Sequence, residues 1–317
     1  MKRRDVIQGA ASVLALPLLT GRAAALDAGD QPQGPTELIA AARDLAAAPW
    51  EPRPARLLPP FDDLDYDAYR GIRPLPGRAA GLELGAGFEA DLLPPGWLFP
   101  DPVSISLHTA PGTRHFDPDL YALDPRYFPD GALQGAYQGM GFSGLRLRYP
   151  LNAADRHDDL LVLQGGSYFR ALARDTAYGL SARGLAIGTG GATPEEFPAT
   201  RHIAVFGTAA GRVHLGCLID SPRAAAALIV VLHPGRPGAP ETVMDCALHL
   251  FTREPLEDAG IAPLTSMFQH GDIGPGQQVF HDIPPAVNPR RPGQGAFQPA
   301  VQNRDPPEGK PDFGRGA

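Results

Sequence analysis

Between about residues 80 and 255 the chain alternates apolar and polar positions in short runs, each cut off by a turn signal such as Pro100-Asp101, Pro111-Gly112, Asp130-Gly131 or Pro234-Gly235. A period of two sends every second side chain to the same face, so such runs read as half-buried β-strands. Val213, Leu215, Cys217 and Ile219 share one such face, and Met244, Cys246, Leu248 and Leu250 share another. Ahead of the strands the period changes. Leu38, Ile39, Ala42 and Leu45 recur at helical spacing within residues 36–48, with Thr36 placed as the cap. Many short strands with one apolar face each must pair two sheets face to face, which predicts an all-β fold: a large β-sandwich preceded by one helix.

Both ends depart from this pattern. Lys2, Arg3 and Arg4 precede a short apolar run from Gly9 to Leu19, and Ala23-Ala24-Ala25 offers a cleavage site. Residues 1–25 therefore read as an export signal, and Arg3-Arg4 gives it the look of the twin-arginine type. The apolar run is shorter than the roughly 20 residues of a membrane span. The expected location is the periplasm. Residues 26–57 form the helix and a proline-rich linker, residues 58–283 the sandwich, and residues 284–317 a tail whose Pro, Gly and Arg content predicts disorder.

Composition narrows the partners. A net charge of −7 leaves no basic footprint for nucleic acid, and 37 glycines with 36 prolines suit a turn-rich β fold. A neutral or weakly charged ligand is the natural expectation. The two cysteines, Cys217 and Cys246, fall on strands that a third strand near Ala227–Leu232 would separate. Two strand spacings, about 10 Å, exceed disulfide reach, so two buried free thiols are expected.

Candidate chemistry concentrates in residues 164–190, "QGGSYFRALARDTAYGLSARGLAIGTG". On a strand through Ser167–Ala171, Tyr168 and Arg170 share the face opposite Phe169, and Tyr178 and Arg183 repeat the pairing. Rings beside guanidinium forks can cover the apolar face of a sugar and donate to its hydroxyls, or can stack on each other at a sheet edge. The loop "TPEEFP" sets Glu195 and Glu196 between prolines, a pair that either faces water or supplies the two carboxylates of glycoside hydrolysis. Asp62, Asp63, Asp65 and Asp67, interleaved with Tyr66 and Tyr69, pose the same choice. His233, His249, His270 and His281 lack metal-ligand spacing, no GxSxG elbow is present, and Gly188, Gly190 and Gly191 read as a turn and not a phosphate cradle. Neither a metal nor a cofactor is expected.

The runs "GSYFRAL", "YGLSARGLAI", "EEFP", "LIDSPRAAAALIVVLHPG" and "GIAPLTSMF" occur in order, after "PFDDLDYDAYRGIR", "PDPVSISL" and "GFSGLRLRYPLN". Together they resemble the periplasmic glucan biosynthesis proteins of the OpgG and OpgD type, also called MdoG and MdoD, over residues 58–287. The resemblance implies a galactose-mutarotase-like supersandwich followed by an immunoglobulin-like domain, and a role in making osmoregulated periplasmic glucans with a β-1,2-linked backbone. It implies β-1,2-glucan as ligand, glucan-synthesis machinery at the inner membrane as partner, and kinship to hydrolases or transglycosylases of that glucan. Tyr168, Arg170, Tyr178 and Arg183 match the family's cleft motifs.

Two departures bear on catalysis. The family's general acid is an aspartate in an H-D-S-D-G-L segment, whereas "FHDIPPAV" gives way here to Asn288-Pro289; the family's L-A-I-D-T reads Leu185-Ala186-Ile187-Gly188-Thr189. Glu195, Glu196 and Asp282 are the remaining catalytic candidates. The change at Asn288 is the pattern that a shift of reading frame leaves in a GC-rich gene, and the immunoglobulin-like domain is expected to be missing. A chain of this kind is expected to bind glucan better than it cuts it. A non-catalytic glucan-holding protein and a truncated, inactive family member are the alternatives to an enzyme.

Overall fold

The computed structural model describes residues 34–52, 57–129, 139–176, 181–189 and 194–264, with positions 32, 132–133, 137, 270–271 and 274–275 besides. The export signal, Tyr178, Asp282, Asn288 and the tail lie outside the described residues.

Helix α1 (Pro35–Ala47) comes first, then the short helix α2 (Tyr66–Arg70) and strand β1 (Ile72–Pro74). Strands β2 (Leu82–Gly85) and β3 (Phe88–Leu93) form one hairpin, and β4 (Ser104–Leu107) and β5 (Ala110–Arg114) a second; β6 (Tyr121–Leu123) pairs with β1. An antiparallel meander follows: β7 (Gly144–Ala153), β8 (Arg156–Gln164), β9 (Tyr168–Ala171) and β10 (Ser181–Arg183). After β11 (Leu185–Ile187) a second meander runs through β12 (Ala199–Ala209), β13 (Arg212–Asp220), β14 (Ala224–His233) and β15 (Val243–Thr252). Strand β16 (Ala259–Ile261) returns to β11, and β17 (His270–Gly271) pairs with β18 (Gly274–Pro275).

Two six-stranded sheets carry the architecture, in the orders β10-β9-β8-β7-β3-β2 and β15-β14-β13-β12-β4-β5. All their pairings are antiparallel except β12 beside β4. Alternation explains why they pack. Ala90, Leu92, Leu145, Leu147, Leu161 and Leu163 of the first sheet share one buried core with Ile105, Ile203, Val205, Leu215, Leu228 and Val230 of the second. Each such side chain contributes about 1.5–3 kcal/mol when taken from water. The fold is therefore the all-β sandwich with a leading helix that the period-two pattern predicts.

The outer faces differ. On the first sheet charges pair across strands, Asp91 opposite Arg146 and Glu89 opposite Arg148. On the second, α1 lays Leu38 and Ala42 against Leu218 and Ala227. Gly216 permits the approach, since a Cβ there would stand 2.5 Å from Leu38 Cδ2.

Several local expectations need correction. Thr36 lies inside α1 and does not cap it; Gly34 is the cap residue, with no side-chain bond, and Pro35 opens the helix because its ring presets φ. The acidic-tyrosine stretch forms α2, whose start Asp65 caps by accepting the Ala68 N–H at 2.8 Å. Pro111-Gly112 lies within β5 and not at a turn, which an edge strand tolerates because proline there interrupts no ladder on the open side. β14 does separate the two cysteines, and both thiols are free. Cys217 is buried, and loss of solvent pushes its thiol up to about 12. Cys246, expected to be buried, is exposed, because β15 forms the rim of its sheet.

His202 on β12 is fully buried with a serine hydroxyl against each ring nitrogen: Ser104 Oγ, which donates to the Arg201 carbonyl and so accepts from Nδ1–H, at 2.9 Å, and Ser106 Oγ at 3.1 Å from Nε2. The parallel register sets Ser104 directly beside it. Burial pushes the imidazole down to about 4, overriding the opposing backbone bond with Ser104. The unfolded chain takes up this proton near pH 6.5, before the folded one does. Stability is thus intact above about pH 6.5 and falls as pH drops toward 4, by about 3 kcal/mol. Urea melts across that window should show the slope, and a His202→Gln variant should lose that share of it. Equal slopes for the two proteins would contradict a neutral buried imidazole.

Candidate functional site

The end of the first sheet opens into a groove of about 430 Å³. Its floor is built by β8 and β9, which contribute Val162, Gln164, Tyr168, Phe169 and Arg170, with Ser181 of β10 alongside. One wall is the loop carrying Leu98, Phe99 and Asp101; the other is the chain entering β12, with Phe197 and Ala199. A narrower recess of about 50 Å³ continues between Pro100, Val103, Ser143 and Thr200. The link from β8 to β9 keeps the groove open. Gly165 adopts φ +74, and a Cβ there would press to 3.3 Å from the Phe99 ring.

Antiparallel register assembles the aromatic and cationic groups. Tyr168 stands opposite Arg183, and Arg170 opposite Ser181. The Arg183 guanidinium lies between two rings, 4.9 Å from the Tyr168 centroid and 4.8 Å from that of Phe197. Its Nη1 donates to Glu195 Oε1, which also accepts from Thr189 Oγ1 at 2.8 Å. Arg183 is almost wholly buried. It therefore fixes the ring of Tyr168 at the floor and that of Phe197 at the wall, and is not itself presented to a ligand.

The two glutamates are engaged separately. The Arg183 bond first, then that of Thr189, holds the Glu195 carboxyl below its ordinary range. Glu196 accepts from the Arg223 guanidinium at 3.0 Å and from the Arg223 backbone N–H at 3.2 Å. Its own N–H donates to the Ile187 carbonyl. Neither is a solvated loop carboxylate, and the lowered Glu195 favours its ionised form, which can accept a proton but holds none to donate.

Opposite them, Gln164 is pinned by a small network. Its amide donates to the Tyr69 hydroxyl and to Ser143 Oγ, each at 2.8 Å. Both hydroxyls in turn donate to the Pro94 carbonyl, at 3.0 and 2.7 Å. Burial raises the Tyr69 phenol against these bonds.

The structure brings Tyr168 and Arg170 to the groove, pairs Arg183 with Glu195 against the Tyr168 and Phe197 rings, and pairs Glu196 with Arg223. Tyr178 and Asp282 lie outside the described residues. Reasoning from sequence passed over Gln164, Ser181, Phe197 and the Leu98–Phe99 wall. Phe197 had a signal, an aromatic between two glutamates and a proline, but attention to carboxylates hid it. Among the described residues no three His, Cys, Asp or Glu side chains converge as a metal site.

Fold and groove together define a two-sheet β-sandwich with an aromatic and arginine-lined cleft at one sheet end. The chain belongs to the periplasmic glucan biosynthesis protein family, MdoG, whose profile matches residues 34–289. It is 34% identical to glucans biosynthesis protein G of Bradyrhizobium diazoefficiens, over 91% of this chain and 56% of that protein. It is 37% identical to the protein of the same name from Vibrio cholerae, over 79% and 45%. With the Rhodopseudomonas palustris protein the identity is 36%, over 87% and 54%. The chain thus spans about half the length of the curated relatives it matches.

Proposed function

We propose that the groove holds linear β-1,2-glucan in the periplasm and that the protein serves glucan biosynthesis by binding that chain. The supporting observation is the pairing of Tyr168 and Phe197 across Arg183. Two rings locked at floor and wall, beside the polar groups of Gln164, Arg170, Ser181 and Asp101, suit a ligand with apolar faces and a hydroxyl rim. The family membership supports the same ligand class.

Holding fits better than cutting. Glycoside cleavage needs a carboxylic acid to protonate the leaving oxygen, whereas Arg183 holds Glu195 below its ordinary range and Glu196 is tied to Arg223. Asp282 is the other candidate donor. The reading takes residues 1–25 as a twin-arginine-type export signal, residues 58–283 as the glucan-binding domain and residues 284–317 as a tail. The inner-membrane synthesis machinery is the partner that would hand over the growing glucan.

Calorimetry with linear β-1,2-glucan tests this directly, with product analysis of the same mixture. The expected result is binding with no change in chain length, weakened about tenfold by Tyr168→Ala. Shortened or rearranged glucan would establish catalysis instead, and absence of binding would refute the reading.

A further inference from the structure

Beside the groove lies an aromatic cluster that the binding reading does not use. Gly96, Trp97, Leu98 and Phe99 make a reverse turn, closed by the Gly96 N–H to the Phe99 carbonyl at 3.1 Å and the Phe99 N–H to the Gly96 carbonyl at 2.9 Å. Trp97 occupies its first central position at φ +52, a place ordinarily filled by glycine because a Cβ is strained there. Strain of this kind persists only where the surroundings hold it, and it concentrates at functional sites.

The surroundings are rings. Trp97 stands 5.2 Å from the Tyr66 centroid, 5.9 Å from Tyr69 and 5.9 Å from Phe99. Backed in this way the indole is held firmly, yet Trp97 remains 36% exposed, Tyr66 52% and Leu98 67%. Three large apolar side chains meeting water at one spot is a feature that calls for a ligand. The patch continues into the groove, since Leu98 and Phe99 form its wall and the Tyr69 hydroxyl carries Gln164 of its floor.

We propose that the Tyr66–Trp97 face is a stacking subsite for a further sugar residue of a glucan already seated in the groove. The inference rests on the groove reading and extends it: the protein recognises an oligomer and not a single sugar. A pyranose offers an apolar C–H face and an equatorial rim of hydroxyls, so an exposed aromatic face covers the first and leaves the second to water or to Asp101 at the same lip. A tryptophan needed only for the fold would not sit at a glycine position and stay 36% exposed.

The two tryptophans are Trp50 and Trp97, so the full chain carrying Trp50→Phe reports on Trp97 alone. Titration with glucose, sophorose and longer linear β-1,2-gluco-oligosaccharides should shift its emission only with the longer chains. Trp97→Gly should weaken those chains about tenfold and leave the shortest ligand unchanged, with near-ultraviolet circular dichroism checking that the variant stays folded. Unchanged long-chain affinity in Trp97→Gly, with Trp97 emission unmoved, overturns the subsite and leaves the groove reading standing. If the unmodified protein binds no oligosaccharide of any length, the groove reading falls and takes the subsite with it.

Discussion

Replacing Arg183 by methionine is expected to lower affinity for β-1,2-glucan about 100-fold. Methionine matches the length of the arginine stem but supplies neither the planar cation between Tyr168 and Phe197 nor the bond to Glu195. Each desolvated ring contact is worth about 1–2 kcal/mol, and losing both lets floor and wall move independently. Arg183→Lys separates charge from shape. A lysine ammonium can keep the ion pair with Glu195 but cannot lie flat between two rings, so its affinity should fall about tenfold and no further. Calorimetry on folded variants, checked by near-ultraviolet circular dichroism, reads both. Arg183→Met binding within threefold of the unmodified protein would mean that the clamp does not set the groove.

Much of the architecture could be read from alternation alone. Period-two runs at Val213–Ile219 and Met244–Leu250 placed β13 and β15 in one sheet with β14 between them, and the separation of the thiols followed. The same period put Tyr168 and Arg170 together on one face of β9, and both line the groove. What stayed hidden was whatever depends on register between distant strands. Arg183 reads as a ligand-facing guanidinium until its pairing with Tyr168 and the return of Phe197 and Glu195 from the next loop bury it. Gln164 and Tyr69 are 95 residues apart in sequence and share a hydrogen bond. Nothing local announces Trp97 either, because its place depends on a left-handed φ and on rings from α2. Cys246 shows the reverse error: the alternation was right, but a pattern cannot say which strand becomes the rim of a sheet.

The outer face of the first sheet poses the sharpest stability test. Asp91 breaks the apolar run of β3 and is fully buried there, opposite Arg146 on β7. Arg146 donates to Asp91 Oδ2 through Nε at 2.9 Å and Nη2 at 2.6 Å, and reaches Asp159 through Nη1 at 3.0 Å. The other Asp91 oxygen accepts the Gly81 N–H at 2.8 Å. Arg146→Met removes the cation but leaves the carboxylate, with that one N–H to compensate a buried charge. The expected loss is about 3–5 kcal/mol, against a few tenths for an ordinary surface change. Adding Asp91→Asn to Arg146→Met should restore part of the loss, since the buried group then carries no charge. Urea melts of the two variants decide it: equal losses would show that the arginine matters for packing alone, and not for holding a charge inside the sheet.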